Sequence, residues 1–304
     1  GDDHTKGDVH ANQGAALLLP RSIQLVSLAE IRELGRGCWS IAGIQHLREA
    51  ITPDDLATIL YVASETKRPR GVMLTHENIS ADILAAFSTY PNLETGEKET
   101  ALMFLPLTHI FARAFLYGHL AYGHSIYFSD ANHVVKHLKL VHPSIMITVP
   151  RLLEKVYERI LDQGQRLTKF DRAVFHWALK LAQRYELGQP LQRLYALQLK
   201  LADRLVFTKW RSIFGDRMKA LICGGAALRA DIANALSAAG IPVLQGYGLT
   251  ETSAVLCYNR GTYNRAGTVG VPIPGVEIAI ADDHEVLVKA PFVMQGYYRD
   301  PIAT

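Results

Sequence analysis

The stretch MKALICGGAALRADIANALSAAGIPVLQGYG, residues 218–248, places a helical segment between two apolar runs. MKALICGG and IPVLQGYG both end in glycine after an apolar core, as strands buried in a sheet do. Residues 230–239 between them have the spacing of a helix. A strand, a helix and a second strand in this order indicate part of a largely parallel α/β sheet.

Four further apolar runs, bounded by polar residues, glycine or proline, are predicted to be strands: ATILYVA (57–63), TALMFLPL (100–107), HSIYFS (124–129) and PSIMITVP (143–150). Helices are expected after several of them, one capped by Thr75 and running to Phe87, another opening at Arg151. The predicted fold class is therefore α/β, with two subdomains of mostly parallel sheets flanked by helices. A small β-rich segment is expected at the C-terminal end, where Gly, Pro and β-branched residues are frequent.

The composition is that of a folded chain. Its 304 residues are 49% hydrophobic and 20% charged, enough for one large α/β domain or two smaller ones. Residues 1–50 give weak signals, chiefly a short helix around SLAEIREL. Residues 51–252 are predicted to form an α/β core with a helical insert at 151–215, and residues 253–304 a β-rich segment.

Charge, cysteines and hydropathy exclude several classes of protein. A net charge of +3 is too small to predict a nucleic-acid partner, and the three cysteines match neither a zinc site nor a disulfide framework. The polar N-terminus lacks the apolar core of a signal peptide. Histidines and an arginine interrupt the longest hydrophobic region, 101–128, so no membrane span is expected. These features predict a cytoplasmic protein.

Residues 151–219 form a basic block, with 15 Lys and Arg against 7 Asp and Glu. Leucines recur there at helical spacing with basic residues between them: Leu191, Leu194, Leu197, Leu201 and Leu205, with Arg193, Lys200, Arg204 and Lys209. One interpretation is a surface helix whose leucines face the core. The other is peripheral attachment to an anionic membrane, where each nearby Lys or Arg adds about 1 kcal/mol.

The segment QGYGLTETSAV, residues 245–255, combines groups that suit a magnesium nucleotide. Gly246 and Gly248 allow a tight turn and close approach to a ligand, and Tyr247 offers a flat face to a base. Thr250 supplies a hydroxyl for a phosphate and Glu251 a carboxylate for a hard cation. A glycine turn with a capping threonine and a solvated glutamate explains the segment equally well.

A second candidate position follows the preceding strand, because open α/β sheets bind ligands at strand ends. Gly224, Gly225 and Ala226 are small enough for a planar ring to lie on the backbone. Tight packing between strand and helix also explains these glycines.

Six motifs in order resemble the adenylate-forming enzymes, in particular long-chain fatty acyl-CoA synthetases: YVASETKRPRGVMLTH, LPLTHIFAR, CGGAAL, GYGLTET, GTVGVPIPG and EVLVKAPFVMQGYYRDP. The resemblance covers roughly residues 51–304. It implies activation of a fatty acid with ATP and Mg²⁺ to an acyl-adenylate, followed by transfer to coenzyme A. It also implies a fragment of the large N-terminal domain that includes residues 1–50, lacks the small C-terminal domain and is therefore impaired in catalysis.

The resemblance also implies roles for individual residues. Tyr247 would stack near the adenine, while Gly224, Gly225 and Ala226 would line the adenylate and acyl site. Gly246 and Gly248 would complete the nucleotide-binding turn.

Three residues are the catalytic candidates. Thr250 would contact phosphate and Glu251 would hold magnesium. His109 in LPLTHIFAR resembles the family's histidine beside the carboxylate being activated, where it would orient and shield two anions that must meet. Taken alone, a histidine after an apolar strand is more often a hydrogen-bonded structural residue. Arg113 is a further candidate, facing the nucleotide or paired with a carboxylate.

The phosphate loop departs from the family pattern. The family reads like YTSGTTGxPKGV, in which backbone N–H groups wrap phosphates, whereas residues 61–72 read YVASETKRPRGV. Thr66, Pro69 and Gly71 stand at matching places, and Arg70 replaces the family's lysine while keeping its charge. The candidate nucleotide contacts are Thr66, Arg70 and Gly71. Glu65 opposes binding, because a carboxylate about 4 Å from a phosphate charge costs roughly 4 kcal/mol at an effective dielectric of about 20. Weakened ATP binding is therefore expected.

Two alternatives to a working ligase remain open. The altered loop favours a non-catalytic remnant that still binds a nucleotide or an acyl group. The basic block favours, more distantly, an adaptor at a membrane surface. The expected partners are accordingly fatty acid and nucleotide small molecules, with an anionic membrane as a further candidate.

Overall fold

The computed structural model describes residues 26–38, 40–63, 68–90 and 92–304. The chain divides into two units, with the division between Thr52 and Pro53. The first unit contributes two helices, α1 (Leu28–Cys38) and α2 (Ile41–Ala50). Helix α1 contains the helix predicted around SLAEIREL, whereas the domain boundary at residue 50 stays a prediction.

The second unit holds the sheets. Its strands are β1 (Leu56–Val62), β2 (Arg70–Thr75), β3 (Thr100–Met103), β4 (Ser125–Phe128), β5 (Ile145–Thr148), β6 (Ala220–Cys223), β7 (Val243–Tyr247), β8 (Cys257–Tyr258), β9 (Val271–Pro272), β10 (Glu277–Ile280), β11 (Val286–Lys289) and β12 (Gly296–Tyr297). Its helices are α3 (His76–Phe87), α4 (Ile110–Ala121), α5 (Val134–Val141), α6 (Pro150–Gln165), α7 (Lys169–Arg184), α8 (Arg193–Ala202), α9 (Thr208–Arg211) and α10 (Ala230–Ala238). A π-helical turn, Asp203–Phe207, joins α8 to α9, and a 3₁₀ turn, Thr250–Thr252, follows β7.

The main sheet has seven strands in the order β4-β3-β5-β6-β7-β8-β9. The pairs from β4 to β7 are parallel, and β8 and β9 continue the sheet antiparallel. β10 and β11 form a separate antiparallel hairpin. The predicted α/β class, with small antiparallel strands towards the C-terminal end, is confirmed.

The inner strands are apolar on both faces because helices cover both. All four residues of β5 are buried. Met146 belongs to a core formed with α6, α7 and α10, while Ile145 and Ile147 point into the opposite core with α3 and α4. Consecutive side chains on a strand alternate between faces, which explains a continuous apolar run without periodicity.

Strand β1 lies outside the parallel sheet, contrary to the expectation for ATILYVA. It pairs antiparallel with β2, and β12 completes a three-stranded sheet on the other side of β2. So few residues separate β1 from β2 that only an antiparallel pairing is possible, since a parallel crossover needs about a dozen residues or more.

Helix α3 begins as predicted at Thr75. The Asn78 amide donates to Thr75 Oγ1 at 3.0 Å, and the Thr75 amide donates to Asn78 Oδ1 at 3.1 Å. This reciprocal cap fixes the direction in which α3 leaves β2.

The leucines of the basic block do not face the core, so that interpretation is wrong. Leu191, Leu194, Leu197, Leu201 and Leu205 are 43–69% exposed. A neighbouring row on the same helical segment, Leu199, Ala202 and Val206, is buried instead. Both rows have helical spacing, so either could face the core. In the structure the row of Leu199, Ala202 and Val206 does so.

Among the helices that the structure describes, none is long and apolar enough to cross a membrane.

Candidate active site

A cavity of about 670 Å³ opens at the carboxyl ends of β5, β6 and β7. Its wall is formed by the segments that follow these strands and by the start of α4. This is the edge at which open α/β sheets bind ligands.

The end of β7 supplies one side of the cavity, with Gly246, Tyr247, Gly248 and Thr250 in its lining. A Cβ at Gly248 would lie 1.8 Å from the carbonyl oxygen of Ala254, so only glycine fits there. Two stretches of backbone therefore run in direct contact at the cavity wall.

The 3₁₀ turn after β7 is capped by Thr252 and not by Thr250. The Leu249 amide donates to Thr252 Oγ1 at 3.0 Å. The Thr250 hydroxyl has no hydrogen bond to any described residue, although Thr250 lines the cavity. Because another residue caps the turn, Thr250 keeps its hydroxyl for a ligand.

The end of β6 supplies the second side of the cavity through Gly224, Gly225 and Ala226. Gly225 has a φ of +82°, a conformation that favours glycine. A Cβ at Gly224 would lie 3.2 Å from the Phe111 ring. The two glycines are therefore consistent with both interpretations: Gly225 forms a backbone turn, and both leave a surface without side chains beside the cavity.

His109 lies immediately before α4, is exposed and lines the cavity. Its imidazole makes no hydrogen bond to the described residues, which removes the support for a hydrogen-bonded structural histidine. Both ring nitrogens are therefore free to meet a ligand.

Glu251 stands beside the cavity and is not part of its lining. The Tyr297 hydroxyl donates to Glu251 Oε1 at 2.8 Å. Within the described part of the chain, Oε2 of the same carboxylate has no hydrogen-bond partner, so one oxygen is fixed and the other is available.

The phosphate-loop candidates lie apart from the cavity lining. Thr66 falls outside the described residues, as does Glu65. Gly71 is buried within β2, where a Cβ would come within 2.8 Å of Ile59 Cγ2. The Arg70 guanidinium lies 3.7 Å from the carboxylate of Asp300. The nucleotide-binding roles of Thr66, Arg70 and Gly71 stay predictions.

Arg113 does not face the cavity, and its candidacy as a nucleotide contact is wrong. Its guanidinium donates to Thr58 Oγ1 at 2.7 Å and to the Leu107 carbonyl at 3.1 Å. Among the described residues it pairs with no carboxylate either. Arg113 therefore ties α4 to β1.

Asp82 is a neighbour of the cavity that sequence reasoning missed. It is 1% exposed, and its Oδ1 accepts a hydrogen bond from the Val255 amide at 3.0 Å. Burial raises the pKa of this carboxyl well above its usual range, and the hydrogen bond from Val255 opposes that shift only partly. The sequence did contain a sign of this residue, because an aspartate on the apolar face of a predicted helix is unusual.

Asp82 helps to hold a strained segment of the cavity wall. Ser253 and Ala254 have φ values of +58° and +131°, which non-glycine residues rarely adopt. Ser253 Oγ donates to the Phe292 carbonyl at 2.8 Å. The wall segment that contacts Gly248 is thus fixed by the Asp82 side chain and by the backbone carbonyl of Phe292.

Comparison with known proteins gives a family match over most of the chain. A family model described as AMP-binding enzyme matches residues 9–298. The long-chain-fatty-acid–CoA ligase FadD15 of Mycobacterium bovis is 34% identical over 261 residues, covering 84% of this chain and 43% of that protein. Human long-chain-fatty-acid–CoA ligase 1 is 31% identical over 297 residues, covering 93% of this chain and 41% of that protein. The chain thus spans less than half the length of these relatives.

Solved structures share the fold. A malonyl-CoA ligase with methylmalonyl-CoA and AMP bound matches 84% of this chain and 48% of its own, with a TM-score of 0.59 and 22% identity. An o-succinylbenzoate CoA synthetase from Bacillus subtilis, in complex with its acyl-adenylate intermediate, matches 82% of this chain and 43% of its own, with a TM-score of 0.55 and 18% identity.

Proposed function

Because the chain belongs to the AMP-binding enzyme family, we propose that it is part of a long-chain fatty acid–CoA ligase. Such an enzyme joins the carboxylate of a fatty acid to AMP, releases pyrophosphate and transfers the acyl group to the thiol of coenzyme A. The observation that carries the proposal is the cavity at the ends of β5, β6 and β7. It gathers a glycine surface, an aromatic ring, a free hydroxyl and a free imidazole.

In this proposal the nucleotide lies between the two strand ends. Gly224, Gly225 and Ala226 leave room for the adenylate, and Tyr247 offers its ring to the adenine. Gly246 and Gly248 allow the backbone to approach closely, and Thr250 donates its hydroxyl to a phosphate oxygen.

His109 is proposed to stand where the two anions meet. A fatty acid carboxylate must approach the α-phosphate, and an imidazole that donates a hydrogen bond lowers the repulsion between them. Position contributes as much as charge, because the reacting atoms must be held at about 3 Å.

Magnesium is proposed to bind with the nucleotide. The residues fit such an ion in part: one Glu251 carboxylate oxygen has no hydrogen-bond partner among the described residues, and Mg²⁺ typically combines one or two carboxylates with substrate phosphates and water. Among the described residues, no cluster of three or more His, Cys, Asp or Glu could hold a metal without a nucleotide. A bound Mg²⁺ would neutralise phosphate charge.

The proposal is tested by fatty-acid-dependent exchange of pyrophosphate into ATP, measured on the intact protein that contains this chain. We expect exchange in the wild type and about a hundredfold loss in His109→Ala, in the range for loss of one stabilising donor. His76→Ala is the matched control, because His76 is exposed on α3 and does not line the cavity. An equal loss in both variants would contradict the assigned role of His109.

A second candidate function is a remnant that binds a nucleotide or an acyl group without catalysis. Glu65 in the phosphate loop favours it, since a carboxylate there opposes ATP phosphates. Calorimetry with AMP and ATP separates the two functions when combined with the exchange assay. Nucleotide binding without any exchange in the intact protein would support the remnant and exclude the ligase.

We also propose peripheral contact with an anionic membrane through α8 and the π-helical turn after it; a cytoplasmic location stays a prediction. Exposed leucines with exposed Arg193, Lys200 and Arg204 between them match a bilayer with negative headgroups. Vesicles with phosphatidylglycerol should retain the protein, and Leu197→Ser with Leu201→Ser should reduce retention. Leu140→Ser is the matched control, since Leu140 is 67% exposed on another basic helix. Retention that does not depend on anionic lipid would contradict this contact.

A further inference from the structure

The motif FVMQGYY, residues 292–298, binds to β2 through its backbone. The Gln295 amide donates to the Met73 carbonyl at 3.0 Å, and the Tyr298 amide donates to the Gly71 carbonyl at 2.7 Å. β12 lies within this motif. Residues 292–298 are therefore fixed to the strand that directly follows the phosphate loop.

The same motif also holds the turn after β7. The Met294 amide donates to the Glu251 carbonyl at 2.8 Å, and the Phe292 carbonyl accepts from Ser253 Oγ at 2.8 Å. Residues 292–298, called here the clamp, thus join two segments that are far apart in sequence, β2 and the 3₁₀ turn after β7.

The clamp reaches the Glu251 side chain through Tyr297. The Tyr297 hydroxyl donates to Oε1 at 2.8 Å, and the Arg70 guanidinium lies over the Tyr297 ring, 5.3 Å from its centre.

We propose that Tyr297 is a positioning residue for Glu251. By holding Oε1, it sets the direction of Oε2, the oxygen that is free to bind a divalent cation together with a nucleotide. Arg70 on β2 contacts the same ring, so Tyr297 connects the phosphate-loop strand to the carboxylate. This inference rests on the proposed function, because it assigns the cation site of that same reaction.

A purely structural role for the same hydrogen bond predicts something different. If the bond only stabilised the fold, removing the hydroxyl would lower the unfolding temperature and leave cation affinity unchanged. If Tyr297 orients Glu251, cation affinity falls while the fold persists, and the loss disappears once Glu251 can no longer bind the cation.

The test uses Mn²⁺ as the probe on the intact protein, with a non-hydrolysable ATP analogue present and free Mn²⁺ measured by electron paramagnetic resonance. Tyr297→Phe should weaken Mn²⁺ binding about tenfold, the scale of one hydrogen bond to a charged group. Tyr263→Phe is the matched control, because Tyr263 is 62% exposed and its hydroxyl has no hydrogen bond to a described residue. Equal affinity in wild type and Tyr297→Phe would overturn the proposal.

A double-mutant cycle with Glu251→Gln gives the second readout. Glu251→Gln alone should weaken Mn²⁺ binding, and adding Tyr297→Phe should weaken it no further. Fully additive losses would show that Tyr297 acts independently of Glu251, which also overturns the proposal. Thermal unfolding of each variant identifies any that has lost the fold.

Failure of the ligase assignment is a separate outcome. If the wild type binds Mn²⁺ and nucleotide but performs no fatty-acid-dependent exchange, the ligase assignment is refuted. The difference in Mn²⁺ affinity between Tyr297→Phe and Tyr263→Phe still tests the positioning role of Tyr297. If the wild type exchanges pyrophosphate and the two variants bind Mn²⁺ equally well, only the positioning role is refuted.

Discussion

Asp82 shows how one side chain can support a site without lining it. It reaches from α3 to the Val255 amide and braces a segment in which Ser253 and Ala254 have positive φ values. Burial raises the pKa of Asp82 well above its usual range, so the folded protein favours the neutral carboxyl more than the unfolded chain does. Keeping it neutral costs free energy wherever the unfolded chain would ionise it.

Because keeping Asp82 protonated costs more free energy as the pH rises, the variant Asp82→Asn should change the pH dependence of stability. A carboxyl whose pKa is raised on folding stabilises the fold fully below its ordinary pKa of 3.8, and this contribution is lost as pH rises. Asparagine can accept the same hydrogen bond without ionising. Urea unfolding should therefore show Asp82→Asn more stable than wild type at pH 7, with a smaller difference at pH 4. Asp283→Asn, at an exposed turn, should show no such trend; a difference independent of pH would contradict the prediction.

The sequence alone predicts where some residues of the candidate site lie, but not others. Tyr247, Gly248 and Thr250 follow an apolar strand, so their place at a strand end was readable from the sequence. The partnership of Glu251 and Tyr297 was not, because 46 residues separate them and no local pattern specifies the contact.

At the scale of elements, an ion pair between a buried carboxylate and an exposed lysine connects the residues that precede two strands. Glu99 precedes β3 and is 0% exposed, and Lys219 precedes β6. Lys219 Nζ lies 2.6 Å from Glu99 Oε1. Burial raises the pKa of Glu99, but hydrogen bonds from Lys219 and other neighbours outweigh it, so the pKa is lowered overall. The pair therefore fixes the amino ends of β3 and β6 on either side of β5.

Removing the cation of this pair should be costly. Lys219→Met leaves a buried carboxylate without its partner, and we expect a loss of about 3 kcal/mol in the free energy of unfolding. Chemical denaturation at pH 7 measures it. Lys180→Met, on the exposed side of α7, is the control and should change the free energy of unfolding by less than about 0.5 kcal/mol. A similar small effect for Lys219→Met would contradict the prediction.

The elements themselves were largely predictable, because apolar runs bounded by Gly and Pro correspond to β3, β5, β6 and β7. The orientation of α8 was not. Its leucine row and the row containing Leu199 both have helical spacing, and only tertiary contacts, including those with α7, decide which row is buried.

At the scale of the whole molecule, a buried histidine pair links global stability to pH. His124 Nε2 donates to the Glu94 carbonyl at 2.7 Å, and the Nδ1 atoms of His119 and His124 lie 2.6 Å apart and share one hydrogen bond. Burial, and secondly His124, lowers the pKa of His119 from 6.5 to about 3.

Acid should therefore unfold the protein partly through His119. His119 takes up a proton below pH 6.5 in the unfolded chain but only below about pH 3 in the folded chain. Its contribution to the free energy of unfolding is therefore fully present above pH 6.5 and is lost as the pH falls towards 3. The slope from one such group is about 1.4 kcal/mol per pH unit. Urea unfolding between pH 7 and 5 should be less dependent on pH in His119→Gln than in wild type. His46→Gln, at an exposed position, should keep the wild-type slope; equal slopes in all three proteins would exclude His119.

The clamp and the residue before it also determine when the three-stranded sheet of β1, β2 and β12 can be completed during synthesis. Asn78 Nδ2 donates to the Pro291 carbonyl across 213 residues, and β12 pairs with β2 over a similar span. On the ribosome, the β1–β2 hairpin emerges before β12 and keeps one edge of β2 open until residues 296–297 have been translated. A nascent chain halted before Pro291 presents that edge to molecular chaperones, and the carboxylate of Glu251 acquires its tyrosine only when β12 arrives.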